Sequence, residues 1–330
     1  MKVSRVRTMV VALAASAALS GTAFAAKTVD ATFGSIFAAK VPLVGCGAIP
    51  MSEDKAFRDA GFNLKVVHSA QLGSENQLAE QISSGQLEMA TITSSILAAW
   101  LDNLAVLETY YLYDNVDQVM KVYETPTAKA LLDELLKVAN IRVIGKPWLY
   151  GERHVFGKRE IKSVDDFKGM RLRVPETFVS IEGAKSVGAQ PTPVAYSELY
   201  IALQQGIVDG AEAPIAVIEA ESFDEPADYL ILTRHLITAQ PFVVNEDFWK
   251  SLTPAQQAAL TKAVEEGSKR VLACAQKADQ EALAKWAKDG ELKVVQDVNR
   301  DSIKAKAQAY FSKGLPFSET YKNLLIDLNK

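Results

Sequence analysis

Histidine and cysteine are scarce in this chain, 3 and 2 among 330 residues. His68, His154 and His235 show no metal-ligand spacing, and neither H-E-x-x-H nor C-x-x-C occurs. The sequence thus makes no case for a metal or a cofactor, and the histidines read as surface or satisfied structural residues. A G-x-S-x-G elbow, a Walker A loop and a G-x-G-x-x-G turn are also missing. Ser52-Glu53-Asp54-Lys55 matches S-x-x-K without its companion motifs and reads as an exposed turn or helix start. No nucleophile–base pair points to catalysis. A basic excess is lacking too: 36 Lys and Arg against 40 Asp and Glu leave a net charge of −4, which argues against a nucleic-acid partner. Gly and Pro, 18 and 12, are too few for a low-complexity chain.

What is present starts at the N-terminus. Lys2, Arg5 and Arg7 precede a short apolar stretch, 9–20, and Ala23-Phe24-Ala25 fits a small-x-small cleavage site. The stretch is too short to span a bilayer comfortably, and no other long apolar run follows. Residues 1–25 therefore read as a secretory signal peptide cleaved near Ala25, and the remainder as a soluble, exported, periplasmic protein. Leu43-Val44-Gly45-Cys46 has the look of a lipoprotein-processing box, but it lies beyond the signal and behind Lys40, and reads as coincidence. An oxidising compartment permits Cys46 and Cys274 to pair. Two cysteines so far apart leave a disulfide and two buried thiols equally open.

Length sets a prior of two domains or lobes, and 48% hydrophobic content suffices for two cores. Strand-like segments at 28–33, 63–68, 87–93, 141–144 and 170–174 alternate with helical ones, which predicts an α/β fold with mostly parallel sheets. The segment 38–50, with Pro42, Gly45, Gly47 and Pro50, reads as a poor helix interior. Ser74 to Gln77 is a capping box opening a helix that Gly85 ends. Helices are expected at 94–101, 116–138 and 177–187, and a very long one from Thr253-Pro254 to about residue 288. Residues 81–88 and 203–209 echo each other as helix end, glycine, apolar residue and acid. The echo suggests two similar lobes with a cleft between them.

Arginine placement stands out. Arg171 and Arg173 share one face of a strand closed by Pro175. Ligands of open α/β sheets bind beyond the carboxyl ends of strands, so Arg173 is the better ligand contact. Its planar fork suits a carboxylate. Arg153 follows Trp148 and Tyr150 at the expected crossing between lobes. Tyr196 precedes a helix at a second cleft-mouth position.

These residues resemble the substrate-binding proteins of TRAP transporters, which feed sodium-coupled carriers for carboxylates. The motifs are Ala70-Gln71-Leu72-Gly73-Ser74-Glu75, Gly85-Gln86-Leu87-Glu88-Met89, Gly151-Glu152-Arg153, 168–175 (K-G-M-R-L-R-V-P), 188–193, 196–204 and 208–214 (V-D-G-A-E-A-P). The resemblance implies a two-lobed periplasmic-binding-protein fold of type II kind, with hinge strands and a long helix spanning both lobes. Lobe I would comprise 26–149 plus 239–278, and lobe II 150–238 plus 279–330. It implies that Arg173 pairs with the ligand carboxylate, that Arg153 is a second basic contact, and that Tyr196 lines the pocket. First-lobe contacts map to Ser35, Glu75, Thr93 and Ser94, with Trp148, Tyr150 and Glu212 as further candidates. Partners implied are a small carboxylate ligand and small and large TRAP membrane subunits, with the protein itself a monomer. Two departures bear on the ligand. Ala213 stands where the family often has Asn, and Ile36 where it often has a polar residue. They suggest a monocarboxylate or simple dicarboxylate rather than a sugar acid. A sensor handing its signal to a receptor, and an exported enzyme on the same fold, are the rival readings.

Overall fold

The computed structural model describes residues 28–329, so the signal-peptide reading of residues 1–25 lies outside it. Nine strands form one sheet. They are β1 (Val29–Gly34), β2 (Phe62–Val67), β3 (Met89–Thr91), β4 (Ile141–Gly157), β5 (Arg171–Val174), β6 (Gln190–Pro193), β7 (Gly210–Pro214), β8 (Tyr229–Asn245) and β9 (Lys293–Val295). The helices of the first half are α1 (Ile49–Glu53), α2 (Lys55–Asp59), α3 (Glu75–Ser84), α4 (Ser94–Leu97), α5 (Val116–Val122) and α6 (Pro126–Ala139). Those of the second half are α7 (Phe178–Val187), α8 (Leu199–Gln204), α9 (Ile215–Ala220), α10 (Glu246–Ser251), α11 (Pro254–Asp289), α12 (Arg300–Phe311) and α13 (Ser318–Leu328).

The sheet consists of two parallel wings joined by two long strands. In the first wing β1 lies between β2 and β3, parallel to both. In the second, β5 lies between β6 and β7 in the same arrangement. The third strand of each wing turns antiparallel to a long neighbour, β3 to β8 and β7 to β4. The 17-residue strands β4 and β8 pair with each other along both wings. Parallelism thus holds within each wing, and the junction is antiparallel. The repeated glycines Gly85 and Gly206 sit at φ 78° and 66°, each just before the third strand of its wing. A side chain is strained in that left-handed region, so both helix ends require glycine.

Local chemistry accounts for several boundaries. The Ser74 hydroxyl and Gln77 side chain form the expected capping box at α3. The helix expected over 116–138 is instead two helices. Pro126 cannot continue a helix from before it, and the Thr125 side chain caps a new one by accepting from Ala128 N–H. The strand expected at 141–144 runs on to Gly157, bent at register shifts beyond Ile144, Leu149 and Arg153. The glycine-rich segment, expected to be non-helical, forms a π-helical turn, Leu43–Ala48, leading into α1. A close approach explains it. A Cβ on Gly47 would sit 2.4 Å from the Trp148 ring, and one on Gly267 of α11 2.5 Å from it. Glycine at both places lets three elements close on one indole.

Trp148 is therefore a core residue, not a cleft wall. It stacks near Phe33 and Phe242, and its Nε1–H donates to the Val264 carbonyl at 2.9 Å. The long helix α11 runs from the Thr253 cap to Gly290 and packs on β4, the π-helical turn, α9 and β9. Cys46 and Cys274 are bonded, with Cα atoms 6.4 Å apart, which stitches the π-helical turn to α11. The last helix, α13, falls in lobe II by the bounds that the resemblance implies, and it packs on α5 and α6 of the first half. Thr127 of α6 donates to Asp327 across that contact, and Thr320 donates to Asn103 in the 3-10 turn Asp102–Glu108.

Replacing both cysteines by serine should cost about 2–5 kcal/mol and lower Tm by several degrees, with the fold retained by circular dichroism. On the back of β4, Asp279 of α11 accepts from Ala216 N–H at 2.9 Å. Burial raises its pKa from 3.8 to about 7. The folded state then holds this proton better than the unfolded one, so the associated stability is lost as pH rises across that interval. Relative to Asp279→Asn, which keeps the acceptor oxygen, the native protein should lose Tm between about pH 4 and 7. A parallel pair of melting curves would contradict this.

Candidate ligand-binding site

The carboxyl ends of both wings open onto one cavity of about 440 Å³. Its walls come from the turns after β1, β2 and β3, from those after β5 and β6, and from β7 itself. β4 and β8 form the floor with Tyr150, Arg153, Thr238 and Gln240. The alternation that predicts ligand contacts at strand ends is thus met twice, once per wing.

Arg153 and Glu212 face each other from the paired strands β4 and β7. The Arg153 Nε donates to Glu212 Oε2, and one terminal nitrogen donates to Glu212 Oε1 at 2.7 Å and to its backbone carbonyl at 2.7 Å. His235 of β8 completes the group. Its Nε2 lies 3.2 Å from Glu212 Oε2, and its Nδ1 lies 2.8 Å from the Thr233 hydroxyl. Burial pushes the His235 pKa down, so the ring is neutral and its Nε2–H donates to the carboxylate. Burial alone would raise the Glu212 pKa, but the Arg153 charge and the His235 and Arg153 hydrogen bonds hold it down at about 2. Burial likewise works against the Arg153 charge, and Glu212 outweighs it. The two charges therefore cancel.

Arg173 is in a different situation. It ends β5 with only 3% of its surface exposed. Its Nε and one terminal nitrogen donate to the Val194 carbonyl at 3.0 and 2.6 Å. Among the described residues it makes no ion pair. Burial lowers its pKa to about 10, Glu212 opposes this, and the like charge of Arg153 adds to it. It remains a cation at neutral pH.

The other end of the cavity is acidic. Glu75 Oε1 accepts from Thr93 N–H at 2.7 Å and from Gln240 Nε2 at 3.3 Å. Burial raises the Glu75 pKa to about 7. Glu108 is raised as well by burial, against the pull of Ser95. Among the described residues its Oε1 has no hydrogen-bond partner, nor do Tyr110 Oη, Thr238 Oγ1 and Gln240 Oε1. The Tyr196 hydroxyl on the opposite wall is unpartnered too. Orphaned buried polar atoms are rare in folded proteins, and five around one cavity mark it as a built site.

Of the residues named from the sequence, seven line this cavity: Glu75, Thr93, Tyr150, Arg153, Arg173, Tyr196 and Glu212. Three do not. Trp148 lies in the core, as above. The Ser35 hydroxyl turns back to accept from Phe37 N–H at 3.2 Å. The Ser94 hydroxyl is buried 3.3 Å from Tyr123 Oη. Each is used locally and faces away. Residues not foreseen are Phe37, Ser95, Glu108, Tyr110, Thr238 and Gln240. Thr238 and Gln240 are polar interruptions at period 2 in the apolar run of β8, a signal for one cavity-facing strand edge.

Two parallel wings on a shared pair of long strands, with one cavity between their carboxyl ends, define a two-lobed α/β fold. The family model for bacterial extracellular solute-binding protein, family 7, matches residues 57–315, and the chain belongs to that family. The sialic acid-binding periplasmic protein of Vibrio cholerae is 31% identical over 61% of this chain. The matched part spans 63% of that protein's length. Among solved structures, a TRAP periplasmic solute-binding protein from Ochrobacterium anthropi with bound L-fuconate is 28% identical. It superposes with a TM-score of 0.83 over 92% of this chain and 100% of that one. A counterpart from Actinobacillus succinogenes with bound L-galactonate is also 28% identical, with a TM-score of 0.83 over 91% and 99%.

Glu212→Ala strands Arg153 in the interior and should cost about 3–5 kcal/mol, a Tm loss of several degrees. Arg173→Ala removes a buried charge that has no acid partner, so the ligand-free protein should melt within about two degrees of the native one. Equal losses in a melting experiment would refute the distinction.

Proposed function

We propose that this protein is a periplasmic receptor for an organic acid, which it hands as a monomer to a sodium-coupled TRAP carrier of small and large membrane subunits. The observation that carries the reading is Arg173, a buried guanidinium on the cavity wall with no acid paired to it, beside an Arg153 already neutralised by Glu212. A charge kept out of water without a partner is costly, and a ligand carboxylate would supply one in bidentate geometry. The relatives named above support the same chemistry, since sialic acid, L-fuconate and L-galactonate are all carboxylates. The cavity volume does not favour the smallest acids over larger ones, so the narrowing suggested by Ala213 and Ile36 has no support from size.

Binding and closure would be coupled through the lips. Phe37, after β1, meets the edge of Tyr196, after β6, at 5.2 Å between ring centroids. Ala38 N–H donates to Glu221 Oε1 at 3.2 Å across the same gap. A ligand touching Arg173 and the first wing together would favour this arrangement over a parted one, since only differential affinity shifts such an equilibrium. The reading is of binding without turnover, because a receptor needs the acid unchanged.

Calorimetry of ligand-stripped protein against a panel of organic acids tests the reading. Losing one partner of a buried charge pair costs about 2–5 kcal/mol, so Arg173→Ala should weaken binding by about 30-fold to several thousand-fold. Undiminished affinity in that variant would remove Arg173 from the role. For the carrier, uptake of the identified acid into vesicles holding both membrane subunits should require this protein and a sodium gradient.

A further inference from the structure

Charge is unevenly distributed around the cavity. Arg153 and Glu212 cancel, and Arg173 is left positive. Glu75 and Glu108 make no ion pair among the described residues. The arginine whose field reaches both acids is Arg153, which is already committed to Glu212. Three further side chains at 1–4% exposure, Tyr110, Thr238 and Gln240, hold unpartnered oxygens on the same cavity. The remaining wall is apolar where Ile36, Phe37, Ala213 and Val217 line it.

We infer that the ligand is a zwitterion, with a carboxylate on Arg173 and a protonated amine on Glu75 and Glu108. The inference rests on the carboxylate-receptor reading and narrows it. A hydroxyl is both donor and acceptor, and it brings no charge. The orphaned atoms at this end are a carboxylate oxygen, an amide carbonyl and two hydroxyls, and only the hydroxyls can also donate. An ammonium offers donors alone and a positive charge, which matches that set. It also restores the ionised state of two carboxyls that burial otherwise holds toward protonation. A polyhydroxy acid would instead use mixed polar partners along its length, and at Ile36 and Ala213 the wall offers none, although Thr93 and Ser95 stand elsewhere on it.

Matched pairs of probes decide the matter. Refolded, ligand-stripped protein is titrated with amino acids of increasing length and with the hydroxy acids of the same skeletons, and with L-galactonate as the polyhydroxy probe. At least one amino acid should bind at least about 10-fold tighter than its hydroxy counterpart and tighter than L-galactonate. In Glu108→Gln and Glu75→Gln, checked for folding by their melting curves, that ratio should shrink toward one. Parity between amino and hydroxy acids, or preference for L-galactonate, overturns the inference and leaves the carboxylate receptor standing. An unchanged ratio in both variants also overturns it, because the amine then binds elsewhere. If no acid of either set binds and Arg173→Ala changes nothing, the carboxylate reading itself fails and takes this one with it.

Discussion

The hydrogen-bonded ladder between β4 and β8 is the constraint on which everything else depends. It is the one pairing that runs through both wings, and its two strands supply the cavity floor. A ladder that long bends only where its register slips, and it slips at three places between Ile144 and Val155. Tyr150 and Arg153 stand within that irregular stretch. The segment that bends is thus also the segment that presents side chains to the cavity, so any change of angle between wings moves those side chains directly.

Electrostatics divides the site into a settled part and an unsettled one. Arg153, Glu212, His235 and Thr233 form a closed chain of donors and acceptors in which each buried charge is answered. Such a network holds β4, β7 and β8 in one orientation, and its acid stays ionised over any physiological pH. Arg173 and the Glu75–Glu108 end are not answered in this way. Arg173 and Glu75 each keep a backbone partner, the Val194 carbonyl and the Thr93 N–H. Imbalance confined to a concave surface is what binding sites are made of.

Much of this was legible where the cause is local. Capping at Ser74 and Thr253, glycine at positions 85 and 206, and Arg173 at a strand end all follow from neighbours in sequence. The break at Thr125-Pro126 was legible on the same grounds, yet the apolar periodicity on either side concealed it. What stayed hidden depends on distant partners. Nothing near Gly47 says that an indole from β4 will press on it, so its helix looked unfavourable and Trp148 looked free for the cleft. Glu108 and Tyr110 reach the cavity only because a 3-10 turn, Asp102–Glu108, lies under α4 and α7. Thr238 and Gln240 sit in a near-continuous apolar strand whose two ends serve different wings.

The order in which strands enter the sheet has a consequence for how such a chain is made. The first wing is finished by β3, and β3 finds its other neighbour at residues 242–244 of β8. The bond from Cys46 waits still longer, for residue 274. A polypeptide that emerges N-terminus first therefore holds an open strand edge and a lone thiol until most of its length has followed. Covering the β3 edge of the first wing is a late event, even though the wing's own strands come earliest, and the interval before β8 arrives is when the nascent chain is exposed to mispairing and capture by other strands.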